Sequence, residues 1–355
     1  MSGPSLQARI RGCLLGGAVG DALGAAVEFD RLPVIRGRFG PAGLRDYAPA
    51  YGRRGAITDD TQMTLFSAEG LIRAWVRGSL RGLVSIPGTV RHAYLRWLLT
   101  QGEAPDDRDV EVGRDGWLFT VAGLHSRRAP GNTCLSALCA GTKWQAVADN
   151  DSKGCGAVMR AAPFGLFPAL GDLDAVFRLG VETGALTHGH PSGSLSAGHL
   201  AATIACLRDG MGLRDALNQA DAILAREPDH METTLALAKA YRLSDKGPPA
   251  PEALEGLGGG WVGEEALAIA VCCALTAEDF ADGVLRAVNH SGDSDSTGAI
   301  CGNLLGALWG EAAIPVRWLE ELELRAEIAR LADDLFGCGT GAREPEAMWE
   351  DYPGW

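Results

Sequence analysis

The stretch GCLLGGAVGDALGAA, residues 12–26, has a counterpart near the other end of the chain in GAICGNLLGALWG, residues 298–310. Both read as helix. Leu6, Ile10, Leu14 and Ala18 recur at helical spacing through the first, and Ile300, Leu304 and Leu308 do so through the second. Each glycine weakens a helix by roughly 1 kcal/mol relative to alanine, so some packing or ligand requirement must offset this many of them. Backbones that approach closely at the protein centre, or beside a ligand, would meet that requirement. Both runs are therefore expected at the core of one all-α domain, residues 1–355.

The same periodicity continues elsewhere. Leu65, Ala68, Ile72 and Trp75, then Leu200, Ile204 and Leu207, then Phe280, Val284 and Ala287, then Leu324, Ile328, Leu331 and Leu335 each trace one helical face, whereas alternating strand patterns are scarce. Gly210, after CLRDG, is a helix C-cap signal. Loops are expected at 31–54, 102–109, 127–133 and 246–260. The last of these contains Gly258 and Gly260, which with Gly263 spell GxGxxG, but no preceding buried strand supports a dinucleotide loop.

A net charge of −13 argues against nucleic acid or an anionic membrane as the main partner. Nine cysteines without a CxxC pair read as small apolar packing residues in a reducing compartment. The first apolar stretch is interrupted by glycines and Asp21, and nowhere do about 18 uninterrupted apolar residues occur. A soluble, cytoplasmic protein is expected.

Each glycine run adjoins an acidic cluster. Thr58, Asp59, Asp60 and Thr61 in ITDDT, and Asp293, Ser294, Asp295, Ser296 and Thr297 in HSGDSDSTG, lead straight into helical patterns. One Asp or Thr at such a place is explained by helix capping. Two adjacent Asp between two Thr exceed that need, and need a counter-charge to stay ionised together. Carboxylates flanked by hydroxyls are hard donors suited to Mg²⁺ or Mn²⁺ rather than zinc. Brought together, the two clusters would build a two-metal site. DSDST also matches a phosphatase nucleophile motif, but AEDFADGVLRAVNHSG before it reads as helix rather than buried strand, and the spacing of a calcium loop is absent.

With these two clusters included, five segments carry a family resemblance: GDALGAAVEF (20–29), ITDDTQ (57–62), SKGCGAVMRAAPFG (152–165), THGHPSGSLSAG (187–198) and GDSDSTGAICGNLLGALWG (292–310). In that order they resemble the ADP-ribosylglycohydrolases, the family of the ADP-ribosylarginine hydrolases and the dinitrogenase reductase-activating glycohydrolases. The resemblance implies a compact orthogonal all-α fold around a dinuclear Mg²⁺ centre, with Mn²⁺ as a substitute. Thr58, Asp59 and Asp60 match one ligand group. Asp293, Asp295 and the Ser296 hydroxyl match the other, with Thr297 as a competitor for the place of Ser296. Glu28 matches an acidic residue close to the metals and the scissile bond, and is assigned to catalysis with Asp59, Asp60 and Asp295. Asp21 is expected as a buried structural partner.

For substrate binding the resemblance points to Ser152, Gly154, Cys155 and Gly156, where glycine amides before a helix can receive diphosphate oxygens, and to His188. Relatives often carry Asn at the position of Cys155. His190 and His199 are expected to cap or pack. The loop HSRRAPGNTC, with Trp117 upstream, is expected at the mouth of the cleft, and Arg127 and Arg128 on a solvated face with no catalytic role. The implied activity is metal-dependent hydrolysis of the N-glycosidic bond between ADP-ribose and a modified protein side chain, arginine foremost. The implied partners are an ADP-ribosylated protein, the ADP-ribose product and an ADP-ribosyltransferase counterpart. Serine or nucleic-acid linkages, ADP-ribose binding without turnover, and steric neutralisation of a toxin are the alternatives.

Overall fold

A computed structural model describes residues 3–108, 110–141 and 147–354; Asp109, the end of the expected 102–109 loop, lies outside them. The architecture is all-α, as expected. Among the described residues the only β pairings are two isolated bridges, Ala50 with Arg53 and Gly154 with Val262.

Two glycine-rich helices form the centre. Helix α1 (Leu6–Gly24) starts at Ser5, whose hydroxyl accepts from the Ala8 amide at 3.2 Å, and is buried throughout from Gly12 onward. A helix apolar on every side belongs inside a protein. It packs antiparallel against the helix formed by the second glycine run. Gly12 faces Gly306, Gly16 faces Gly302, Gly20 faces Gly298, and Gly24 faces Ser294 and Asp295. The four-residue steps keep these glycines on one stripe of each helix. A Cβ added at Gly302 would sit 2.0 Å from the Gly16 carbonyl oxygen, and one at Gly306 would sit 1.9 Å from that of Gly12. The glycines thus let backbone meet backbone, and that contact offsets their weak helix propensity.

The other long helices surround this pair. Helices α2 (Asp59–Arg81) and α3 (Ile86–Thr100) pack together, as do α4 (Leu173–Ala185) and α5 (Pro191–Arg208). Helix α6 (Gly263–Leu275) contacts α5, and α7 (Phe280–Val288) lies on α8 (Ser294–Trp309), the second glycine helix. Helix α9 (Arg325–Thr340) packs on α1. Gly210 follows α5 at φ +93°, in the left-handed conformation that ends helices.

Three expected loops are partly helical: 31–54 contains the helix Leu32–Phe39, 127–133 runs into the helix Asn132–Ala140, and 246–260 contains the turn Pro251–Leu254. Proline in the first turn starts the first and the last of these. The GxGxxG segment is no phosphate loop, because the amides of Gly259 and Gly260 donate to the Glu265 carboxylate. All nine cysteines are free thiols. Among the described residues no helix is long and apolar enough to cross a membrane.

Candidate active site

The central helix pair brings the two acidic clusters together. Asp21, on α1, is fully buried and accepts from the amides of Thr58 (3.0 Å) and Thr61 (3.1 Å) and from the Thr61 hydroxyl. It therefore ties the ITDDT turn to α1, the structural role expected of it. Thr58 caps α2, accepting from the Asp60 amide at 3.3 Å, and leaves Asp59 and Asp60 in the first turn. At α8 the cap is Asp293, which accepts from the Ser296 amide at 3.3 Å. Because Gly24 packs on Ser294 and Asp295, the start of α8 lies against the end of α1, beside Glu28 and the start of α2.

The result is a cavity of about 460 Å³ bordered by Glu28, Asp59, Asp60, Asp293, Asp295 and Ser296, with Gly154, Cys155, Gly156 and His188 on its wall. Among the described residues no lysine or arginine lines it. Burial, and then the charge of Asp295, hold Asp59 and Asp60 well above the usual carboxylate range, and Asp293 is raised in the same way. The same two causes push Glu28 up to about 10 and Asp21 to about 7. Among the described residues, Asp60 Oδ1 and Glu28 Oε2 are buried without a hydrogen-bond partner. Crowded carboxylates with unpartnered oxygens and no basic neighbour are short of positive charge, so a cation fits this donor set. Among the described residues no three His, Cys, Asp or Glu side chains already form a metal-ligand group; the acids border a shared space rather than close on a point.

Not every expected residue reaches the cavity. Thr58 stays behind its carboxylates, with Oγ1 3.5 Å from Asp60 Oδ2. Of the two hydroxyl candidates in α8, Ser296 lines the cavity. Thr297 is instead engaged with the carbonyls of Asp293 and Ala287, both at 2.8 Å, and with His290. Ser152 also lies off the cavity, bonded to the Thr133 hydroxyl and accepting from the Gly154 amide at 3.3 Å. The amide of Cys155 donates to the Trp261 carbonyl at 3.2 Å. Of the two glycine amides expected to meet diphosphate, only that of Gly156 is left unengaged among the described residues. The helical segment after it is a three-residue turn, Val158–Arg160, too short to supply a helix dipole. The Cys155 thiol donates to Asp293 Oδ2 at 2.8 Å. His188 is buried on the cavity wall, whereas His190 caps α5 and His199 pairs with Asp221 at 2.9 Å, both as expected.

The family model for ADP-ribosylglycohydrolase matches residues 2–345. This chain belongs to the ADP-ribosylglycohydrolase family. It is 26% identical to the ADP-ribosyl-[dinitrogen reductase] glycohydrolase of Rhodospirillum rubrum, over 94% of this chain and 98% of that one. Identity to the ADP-ribosylarginine hydrolase Tri1 of Pseudomonas putida is also 26%, over 96% of this chain and 81% of the relative. A solved ADP-ribosylglycohydrolase-related protein complex contains a chain that superposes with a TM-score of 0.67 at 27% identity, covering 94% of this chain and 99% of its own length.

Two features of this ADP-ribosylglycohydrolase escape a reading of its sequence. Arg128, expected on a solvated face, is buried, forms a two-pronged pair with Glu323 (3.0 and 3.1 Å) and donates to the Ile57 carbonyl. Its own carbonyl accepts from the Asp59 amide at 3.1 Å, and the Gly131 amide beyond it donates to the Asp59 carboxylate at 3.2 Å. Arg127 does face solvent, paired with Glu103. Three non-glycine residues at positive φ adjoin this pair: Ala129, Leu324, and Tyr51, whose ring lies under Arg128. Such backbone strain persists only where surrounding contacts enforce it. Nothing in RRAPGN or ELELR signals the pairing.

The second feature is an aromatic rim. Phe29, 72% exposed, stacks on Trp261, 45% exposed, with ring centroids 5.9 Å apart, and both line the cavity. A tryptophan after three glycines is the one sequence signal that could have drawn attention to it. Residues 129–134 line the cavity as expected, but Trp117 does not: it packs against Tyr352 and Arg330.

Proposed function

We propose that this ADP-ribosylglycohydrolase cleaves the N-glycosidic bond between ADP-ribose and arginine side chains of modified proteins, in a reaction dependent on two divalent cations. The observation that carries the reading is the convergence of five carboxyl groups, from Glu28, Asp59, Asp60, Asp293 and Asp295, on one cavity that no described lysine or arginine lines. Such a cavity favours cations, a substrate guanidinium among them. Asp59, Asp60, Asp293 and Asp295, with the hydroxyl of Ser296, would hold Mg²⁺ or Mn²⁺, which supplies positive charge at the ribose hydroxyls and makes nearby water more acidic.

In hydrolysis the water oxygen bonds to the anomeric carbon, and the carbon–nitrogen pair departs on the guanidine nitrogen. The ribose carries oxocarbenium character between these events. The negative cavity wall stabilises that developing charge. A carboxylate of the aspartate cluster takes the proton from water. Glu28, whose buried carboxyl is raised first by desolvation and which lies next to the aromatic rim, returns one to the departing nitrogen in this reading. Phe29 and Trp261 offer π faces to a guanidinium, which supports arginine over serine. So does the name of the Pseudomonas relative. The partners in this reading are an ADP-ribosylated protein, ADP-ribose as product and an ADP-ribosyltransferase as counterpart. The net charge of −13 and the nine free thiols support a cytoplasmic setting without nucleic acid as substrate.

Purified protein incubated with arginine-, serine- and DNA-linked ADP-ribose, with and without chelator, tests this by mass spectrometry. ADP-ribose is expected from the arginine linkage alone, and chelator, Asp59→Ala or Asp295→Ala should abolish its release while circular dichroism stays unchanged. Release that persists in chelator, or none from arginine, would refute the proposal.

A further inference from the structure

Behind the cavity wall lies a buried guanidinium that no acid among the described residues balances. Arg160 is 1% exposed, and among the described residues no carboxylate pairs with it. Its neighbours are the Tyr94 ring at 4.3 Å, Cys134 Sγ at 3.2 Å, Met63 Sδ at 3.4 Å and the Thr187 hydroxyl at 2.7 Å. A buried charge held by such weak partners is destabilising. Its one strong hydrogen bond leads towards the cavity.

The chain of donors can be followed atom by atom. A guanidinium only donates, so Thr187 Oγ1 accepts from Arg160 Nη2, and the hydroxyl proton must go elsewhere. It has three acceptors within reach: His188 Nδ1 at 2.8 Å, the Gly184 carbonyl at 3.5 Å and the Cys134 sulfur. The carbonyl is at the outer limit of a hydrogen bond and a thiol sulfur is a weak acceptor. The proton therefore goes to Nδ1, and the imidazole carries its own proton on Nε2. No protein atom among the described residues engages Nε2. It stands beside Gly154 and Gly156, where an added Cβ would lie 3.1 and 3.4 Å away, so both glycines keep the ring's approach to the cavity open. Burial and then the charge of Arg160 push His188 down to about 3, which keeps the ring neutral at working pH.

We propose that Arg160 and Thr187 are positioning residues, which fix His188 as the neutral Nε2–H tautomer and aim that N–H into the cavity as a donor to an oxygen of the ADP-ribose diphosphate. A neutral donor suits this place. It offers a hydrogen bond to an anionic oxygen without adding a mobile cation to compete for the carboxylates, while the fixed charge behind it favours the phosphates. The ligand half of this inference rests on the function proposed above; the tautomer does not.

Two measurements on full-length protein test the inference. Two-bond proton–nitrogen correlation spectra of ¹⁵N-histidine-labelled protein read the tautomer, and calorimetry with free ADP-ribose reads affinity. Wild type should show His188 protonated at Nε2 alone. Thr187→Val should mix the tautomers and weaken ADP-ribose binding by about tenfold, the worth of one hydrogen bond to a charged group; Thr187→Ser should restore both. Wild-type His188 protonated at Nδ1 overturns the relay with no variant needed. An unchanged tautomer and affinity in Thr187→Val overturn it as well. Failure of wild type to bind ADP-ribose would remove the proposed function and the ligand half of the inference, while the spectra would still decide the relay.

Discussion

At the scale of single residues, Asp21 does more for the site than its distance from the reacting groups suggests. Its carboxylate accepts every bond it makes with the ITDDT turn, from two amides and one hydroxyl. Asparagine has the same shape but turns one oxygen into a donor, which would then face amides that also donate. Leaving such groups unpaired in a buried place costs about 1–3 kcal/mol. Asp21→Asn is therefore expected to lower unfolding free energy by about 2 kcal/mol in urea titrations. It should also weaken divalent-cation binding, because the turn carrying Asp59 and Asp60 loses its anchor. A variant as stable as wild type would show that the turn is held by the Arg128 and Glu323 pair alone. Cys155 makes a complementary point. Its thiol occupies one oxygen of Asp293, and burial with the charge of Asp293 holds it well above the usual thiol range. It is a hydrogen-bond donor here, not a nucleophile.

At the scale of elements, the glycine helices α1 and α8 set the geometry of the site, since the residues just past the glycine stripe at its open end are Asp295 and Glu28. Anything that parts the two helices should part the carboxylates too. Gly302→Ala places a methyl 2.0 Å from a backbone oxygen, which no side-chain rotation can relieve. The expected loss is about 3 kcal/mol or more, with reduced ADP-ribose release from the fraction that folds. Gly37→Ala is the contrast: it sits in the helix Leu32–Phe39, is exposed, and has no atom within 4 Å of the added carbon. There alanine should stabilise by about 0.5–1 kcal/mol through helix propensity alone. Thermal melts of the two variants decide whether packing or propensity governs these glycines. Equal effects of the same sign would refute the reading of the stripe.

At the scale of the whole molecule, what could be read from the sequence divides by the range of the interaction. The helical faces and the paired glycine runs were legible because they repeat along the chain, and the acidic clusters because their residues are adjacent. The buried Arg128 and Glu323 pair was not, for its partners lie far apart in sequence and each resembles an ordinary surface charge. The same long-range convergence makes the stability of the cation-free protein depend on pH. Glu28, raised from 4.5 to about 10, holds a proton in the folded state that the unfolded chain has released, and Asp21, raised from 3.8 to about 7, gives up its own near neutral pH to become the acceptor described above. A raised folded value means stability is present at low pH and lost as pH rises towards the folded value, by about 1.4 kcal/mol per pH unit for each group held protonated. His188 and His290, lowered from 6.5 to about 3 and about 4, work in the opposite direction, but only below about 6.5. Between pH 7 and 8.5 the carboxyl groups therefore dominate, and the melting temperature of the chelator-treated protein should fall. Mg²⁺ or Mn²⁺ at a hundred times its dissociation constant should add about 2.7 kcal/mol and flatten that slope. Asp295→Asn separates charge from shape, because Asp295 is the leading charge acting on its neighbours and asparagine keeps the oxygen that accepts from Ser296. The variant should melt higher than wild type without cations, gain little when they are added, and release no ADP-ribose. If it instead melts lower than wild type and responds to cations as wild type does, the carboxyl groups are not what binds them.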